Sequence, residues 1–136
     1  MISILCPCYN EEAVLPLFFQ RITSVMEGIG EDFEFVCVND GSHDGTLSLL
    51  LDQAKKDGRV RVVDLSRNFG KEAALTAALD HSGGDAVIPI DADLQDPPEL
   101  IAAMLAKWRE GYEVVLARRS DRTSDSWLKR ISAQMF

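Results

Sequence analysis

The chain has 136 residues, 46% apolar and 26% charged, proportions that suit one globular domain able to bury a core without disulfides or a structural metal. A net charge of −8 excludes nonspecific nucleic-acid binding, which needs a basic stripe, and means that any phosphorylated ligand requires a local cation. Met1 to Cys8 is too short for a secretory signal, and no stretch reaches the ~18 apolar residues of a membrane span, so a soluble domain is expected.

Residues 2–8 form a short apolar run and read as a strand. Cys6 and Cys8 on it would share one face; with Cys37 they make no metal-ligand or redox spacing and read as buried thiols. Across residues 13–28, Leu15, Phe18, Phe19, Ile22, Val25 and Met26, followed by Ile29, repeat at helical spacing with one buried face. Residues 33–38 are a second strand. Asp44 is placed to cap a helix over residues 46–56, with Leu47, Leu50, Leu51 and Ala54 inward. Residues 60–65 are a third strand. An Ala-rich helix over residues 70–81 is ended by Gly83 and Gly84. Residues 86–90 are a fourth strand. Pro97 and Pro98 open a helix that runs to Glu110 and closes at Gly111, with Leu100, Ile101, Met104, Leu105 and Trp108 on its core face. Residues 112–117 are a fifth strand. Residues 126–136 read as a helix with neither Gly nor Pro terminator, so a fragment of a longer protein is expected.

Strands that are near-continuous apolar runs, alternating with amphipathic helices, predict an α/β fold: a mostly parallel central sheet with helices on both faces. Ligands of such sheets sit beyond the carboxyl ends of the strands, at a topological switch point. The residues there are polar. Asp91 and Asp93 follow the fourth strand, two apart, so their Cα atoms lie about 6–7 Å apart and both side chains can face one side. Two carboxylates repel, and a divalent cation shared with a diphosphate satisfies both. Oxygen donors favour Mg²⁺ or Mn²⁺, and Gln95 can add a carbonyl. Asp-x-Asp is common by chance, and alone it more often marks a solvated acidic loop; its place after a buried strand is what favours the metal. Asp40 ends the second strand and can accept from a base N–H or a ribose hydroxyl, although Asn39, Asp40 and Gly41 are also ordinary turn residues. Tyr9 can stack on a base and Glu11 can take ribose hydroxyls; against this, Glu11 and Glu12 also suit a helix dipole. Lys71 opens a helix near any phosphate, or is simply solvated. Arg118, Arg119 and Arg122 are a basic cluster fit for phosphate, or a solvated turn. No phosphate loop, dinucleotide fingerprint or nucleophile elbow is present, and His43 and His81 stand alone.

Pro7-Cys8-Tyr9-Asn10-Glu11-Glu12, Val38-Asn39-Asp40-Gly41-Ser42 with Asp44-Gly45-Thr46, and Asp91-Ala92-Asp93-Leu94-Gln95-Asp96-Pro97-Pro98 resemble family 2 glycosyltransferases. Ser66-Arg67-Asn68-Phe69-Gly70-Lys71-Glu72 narrows the resemblance to the polyprenyl-phosphate branch, which includes dolichyl-phosphate mannose synthases and bactoprenol glucosyltransferases. It covers Ile2 to about Arg122. It implies a glycosyltransferase-A fold, Rossmann-like in its nucleotide-binding half, and inverting transfer of a hexose from a nucleotide-diphosphate sugar, UDP-glucose or GDP-mannose, to a polyprenyl phosphate. Pro7, Tyr9, Glu11 and Asp40 then fall on nucleotide-contacting positions. Asp91, Asp93 and Gln95 fall on the metal and diphosphate positions, and Arg118 falls where the acceptor phosphate binds. Cys8 stands where the family often has Val or Thr. The family's catalytic domain continues past this chain. The branch implies membrane contact through parts absent here, at the cytoplasmic inner face, and leaves a homo-oligomer open. Competing readings keep the fold but use a sugar hydroxyl as acceptor, or treat the chain as a non-catalytic nucleotide-sugar-binding module. A phosphorylation receiver domain fits less well, because such domains place acids after strands one and three and here strand three ends in Ser66-Arg67-Asn68.

Overall fold

The computed structural model describes residues 1–95, 97–111, 114–118 and 127–131, the last two segments as backbone only. The chain divides into two compact units, Met1–Gln95 and Asp96–Phe136.

In the first unit, β1 (Ile2–Cys8), β2 (Phe33–Asp40), β3 (Val60–Leu65) and β4 (Ala86–Pro89) form one parallel sheet in the order β3-β2-β1-β4. The crossovers contain α1 (Leu15–Ile29), α2 (Thr46–Lys56) and α3 (Lys71–Asp80). Because β1 lies between β2 and β4, the strand order reverses beside it, and the crevice of such a sheet opens at its carboxyl end.

Side-chain alternation along β2 sorts the helices onto two faces. Phe35 points to one face, where its ring lies 5.9 Å from Phe18 and 5.1 Å from Phe19 of α1, edge to face. Val36 and Val38 point to the other, where with Leu5 they pack against Ala74 and Ala78 of α3. The alanines explain why α3 is Ala-rich: small side chains let it lie close on the sheet. Phe18 is wholly buried, and its truncation to Ala would cost about 3–5 kcal/mol. α1 stops where Gly30 turns left-handed, φ 83°, and returns its N–H to the Met26 carbonyl. The predicted faces hold for α1, but Leu51 of α2 is 46% exposed, where it was expected inward. Leu50 alone among the helix's leucines is fully buried, and one buried leucine suffices for a helix lying over the edge strand β3. The three cysteines are free and buried, with Cys6 Sγ 3.7 Å from Cys8 Sγ, as the shared strand face requires. The Cys37 and Cys8 thiols, together with burial, hold Cys6 well above the usual thiol range.

At the amino end of the sheet, Glu34 is a buried carboxylate with every oxygen engaged. Its Oε2 accepts from Ser3 Oγ at 2.6 Å and from the Gly83 N–H at 2.7 Å, and Arg61 Nε lies 3.3 Å from its Oε1. Ser3 Oγ in turn accepts the Gly84 N–H at 2.9 Å. Gly84 is needed here less to end α3, which stops at Asp80, than to let the chain pass close to Ser3. A Cβ on Gly84 would lie 2.6 Å from Ser3 Oγ and 2.8 Å from the Met1 carbonyl.

In the second unit, α4 (Leu100–Arg109) lies against β5 (Val114–Arg118), and β5 pairs antiparallel with β6 (Trp127–Ile131) in a two-stranded sheet. Two expectations are corrected. The fifth strand does not extend the parallel series, and the stretch read as a terminal helix is a strand over Trp127–Ile131. Trp127, Leu128 and Ile131 fit a helical stripe and a strand equally in so short a run, and cross-strand pairing from Arg118↔Trp127 to Val114↔Ile131 decides between them. Arg119, Arg122 and Asp96 lie outside the described residues.

Candidate functional site

Two loops at the carboxyl ends of β1 and β2 are stitched together. The Asn10 N–H donates to Ser42 Oγ (2.9 Å), and the His43 N–H donates to Asn10 Oδ1 (2.8 Å). The Glu11 N–H donates to Thr46 Oγ1 (2.8 Å), whose hydroxyl donates to Asp44 Oδ1 (2.6 Å). Asp44 was expected to cap α2, but the N-cap is Gly45; Asp44 stands one residue earlier, where it accepts the Thr46 N–H at 2.9 Å and the Glu12 N–H at 3.4 Å. Burial would raise the Asp44 carboxyl, but the Thr46 hydroxyl and the Thr46 and Glu12 N–H groups outweigh it and hold it below its ordinary value. Thr46 is fully buried, so its hydroxyl is a fixed acceptor for the Glu11 backbone. Asn10 adopts the left-handed region, φ 53°, which turns the chain so that Tyr9 and Glu11 follow the strand into one cavity. The Tyr9 ring stands edge-on to His43 at 6.5 Å and is 43% exposed, leaving surface for a ligand.

The end of β2 interlocks with the segment before α3. Asp40 is 3% exposed; its Oδ1 accepts the Phe69 N–H at 2.8 Å and its Oδ2 the Gly70 N–H at 3.1 Å. Asn68 Nδ2 donates back to the Asp40 carbonyl at 3.2 Å. Gly41 sits at φ 69°, and a methyl there would run into the backbone of Asn68 and Arg67. Only glycine lets the two segments come this close.

Beyond β4, the Leu94 N–H closes a turn onto the Asp91 carbonyl (3.2 Å) with Leu94 at φ 55°. Ala92 is buried, so the carboxylates on either side of it face outward from the same turn. Asp93 Oδ1 accepts the Gln95 N–H at 3.2 Å, and Asp91 Oδ1 lies 2.8 Å from Lys71 Nζ.

These segments surround a cavity of about 420 Å³. Of the sequence-predicted residues, Pro7, Tyr9, Glu11, Asp40, Lys71, Asp91 and Asp93 line it; Gln95 is not among the lining residues. Arg118 ends β5, and its side chain lies outside the described residues. Cys8, Asn68 and Gly70 also line the cavity, and sequence reasoning assigned them no ligand role. For Asn68 and Gly70 the signal was their place at a strand end. The cavity is electrostatically short of positive charge. Burial pushes the Glu11 carboxyl above its ordinary value, the Asp93, Asp91 and Asp44 carboxylates push the same way, and Lys71 only partly opposes them. Among the described residues no three His, Cys, Asp or Glu side chains are arranged to hold an ion alone. Two carboxylates on one wall still fit Mg²⁺ or Mn²⁺, which ordinarily take one or two carboxylates and complete their shell with water and phosphate oxygens.

The family model for glycosyl transferase family 2 matches residues 3–135. The chain belongs to that family. It is 50% identical over 135 residues to the uncharacterized glycosyltransferase sll0501 of Synechocystis, covering 99% of this chain and 42% of that protein. To the bactoprenol glucosyl transferase of Shigella phage SfV it is 47% identical over 135 residues, covering 99% of this chain and 44% of that one. Among solved structures, the mannosyltransferase PcManGT from Pyrobaculum calidifontis, in complex with GDP-Man and Mn²⁺, superposes with a TM-score of 0.60 at 30% identity. That match covers 79% of this chain and 31% of that one. The chain therefore spans less than half the length of the curated relatives it matches. Its parallel sheet and crossovers are those of a glycosyltransferase-A fold, as the sequence led us to expect.

Proposed function

We propose that this chain forms the donor-binding part of an inverting glycosyltransferase that moves a hexose from a nucleotide-diphosphate sugar to a polyprenyl phosphate. One observation carries the reading: Asp91 and Asp93 share a single cavity with Tyr9, Glu11 and Asp40. A pair of acids thus stands next to groups suited to a nucleoside. Tyr9 offers a ring face to a base. Asp40 keeps a free lone pair on each oxygen for a base N–H or a ribose hydroxyl, beyond the two it uses on Phe69 and Gly70. Glu11 is placed for ribose hydroxyls, and Lys71 for a phosphate oxygen. Asp91 and Asp93 would hold Mg²⁺ or Mn²⁺, which, when bound, neutralises the diphosphate leaving group. The complex of PcManGT with GDP-Man and Mn²⁺ supports a metal with a sugar nucleotide, and the bactoprenol glucosyl transferase supports a glucose donor and a polyprenyl acceptor.

A lipid phosphate is already ionised near neutral pH, its second pKa being about 6, so attack on C1 needs no strong base. Arg118 is our candidate to orient that phosphate. Among the described residues no helix is long and apolar enough to cross a membrane. Our reading nevertheless places the intact protein at a membrane's inner face, where such an acceptor resides. Titration calorimetry with UDP, GDP and their sugars, with and without Mn²⁺, tests the donor half. We expect binding that strengthens with Mn²⁺; no heat with any of them removes the reading. Assaying the intact protein on polyprenyl phosphate against oligosaccharides tests the acceptor half, and transfer to oligosaccharide alone would overturn it.

A further inference from the structure

We infer that Lys71 serves as the resident cation of Asp91 in the ligand-free cavity and gives that carboxylate up when a divalent ion and a diphosphate enter, so that the two ligands bind synergistically. The inference rests on the donor reading above. Its basis is geometric. Lys71 Nζ lies 2.8 Å from Asp91 Oδ1, and both residues line the one cavity where cation and anion would meet. The two side chains are 60% and 40% exposed, so the pair contributes little to stability and is readily exchanged. Lys71 is nonetheless not a free-swinging surface group. It is the first residue of α3, and the residue before it, Gly70, is pinned by its N–H to Asp40 Oδ2 at 3.1 Å. The ammonium therefore swings from an anchored backbone at the uncapped amino end of a helix, where an anion is also favoured.

A divalent ion approaching alone must displace the ammonium from Asp91, and the displaced charge then repels it. A diphosphate approaching alone meets the ammonium already neutralised by Asp91. When both enter, the ammonium moves to phosphate oxygen and Asp91 is released to the ion. Each ligand removes the obstacle to the other, and linkage requires the two enhancements to be equal.

The test measures Mn²⁺ binding by electron paramagnetic resonance in the intact protein, with and without UDP, for wild type, Lys71→Met and Lys71→Arg. The exposed position predicts that all three fold, which thermal melts check. In wild type, UDP should raise Mn²⁺ affinity, and Mn²⁺ should raise UDP affinity by the same factor. Lys71→Met should bind Mn²⁺ alone about two- to fivefold more tightly, the size expected from removing an exposed ion pair. It should bind UDP more weakly and show a smaller enhancement of either ligand by the other. Lys71→Arg should stay near wild type. Unchanged or weaker binding of Mn²⁺ alone by Lys71→Met overturns the exchange. If wild type binds both ligands but Lys71→Met behaves the same, only the exchange fails; if wild type binds neither, the donor reading fails with it.

Discussion

The cavity has two walls built by different means. The wall made by the β1 and β2 loops is assembled before any ligand arrives: Asn10, Glu11 and Glu12 are bonded through their backbones to Ser42, Thr46 and Asp44, and Asp40 clamps Phe69 and Gly70. The wall beyond β4 is looser. Its acids are a half-exposed Asp91 tied to one exposed lysine and an Asp93 that accepts one N–H from its own turn. A rigid aromatic and ribose-sized half asks for preorganisation, because shape selects the ligand there. A charged half that stayed rigid and empty would hold unbalanced carboxylates, so it is better completed by what it binds.

Breaking the second wall should have the largest effect. Asp93→Ala in the intact protein should lower transfer by at least about 100-fold, with an unchanged melting curve, since one exposed carboxylate holds little of the fold together. Turnover equal to wild type would remove the metal assignment. The first wall should fail differently. Gly41→Ala forces a methyl against Asn68 at a left-handed position and should cost about 2–4 kcal/mol, read as a drop in Tm with weakened nucleotide binding. Thr46→Val keeps the shape but removes the hydroxyl that accepts from Glu11 and donates to Asp44. We expect a loss of about 1–2 kcal/mol and a donor KM raised several-fold with kcat less affected, measured by denaturant unfolding and steady-state kinetics. The smallest effect probes the charge between the walls. The folded-state pKa of Glu11 is raised, so the folded protein binds its proton more tightly than the unfolded chain does, and its ionisation opposes folding as pH rises. Glu11→Gln without metal should therefore raise Tm by on the order of 1–2 °C at pH 7, and the gain should vanish below about pH 4, where the carboxyl is protonated in both states. A gain that persists at low pH would trace it to packing instead.

Much of this was legible in the residues. Apolar runs located β1 to β4, periodicity located α1 and α2, and alanine content located α3, because burial on a sheet face and on a helix stripe leaves an imprint on local spacing and alanine favours the helix. The clustering of Tyr9, Glu11, Asp40, Asp91 and Asp93 followed from strand ends alone. What stayed hidden depends on contacts between distant segments. Thr46 looks like any helix-opening threonine until its hydroxyl is seen under Glu11, thirty-five residues away in sequence. Asp40 looks like a ligand group, and sequence spacing does not reveal that its two carboxylate oxygens each already accept a backbone N–H, from Phe69 and Gly70. Leu51 kept its helical phase but stays 46% exposed, and Trp127–Ile131 took its strand form from β5 rather than from its own pattern.

The Glu34 knot lies at the end of the sheet remote from all of this chemistry. Part of the structural integrity therefore rests on residues that touch no ligand, whereas Gly41 and Thr46 at the opposite pole serve both fold and site. Diversification among donor sugars can proceed by altering exposed loop side chains at one pole while Ser3, Glu34 and Gly84 at the other help keep the scaffold folded. A library randomised only at the exposed cavity side chains Tyr9, Lys71 and Asp93 should therefore yield mostly soluble variants, whereas one randomised at the Glu34 pole should not.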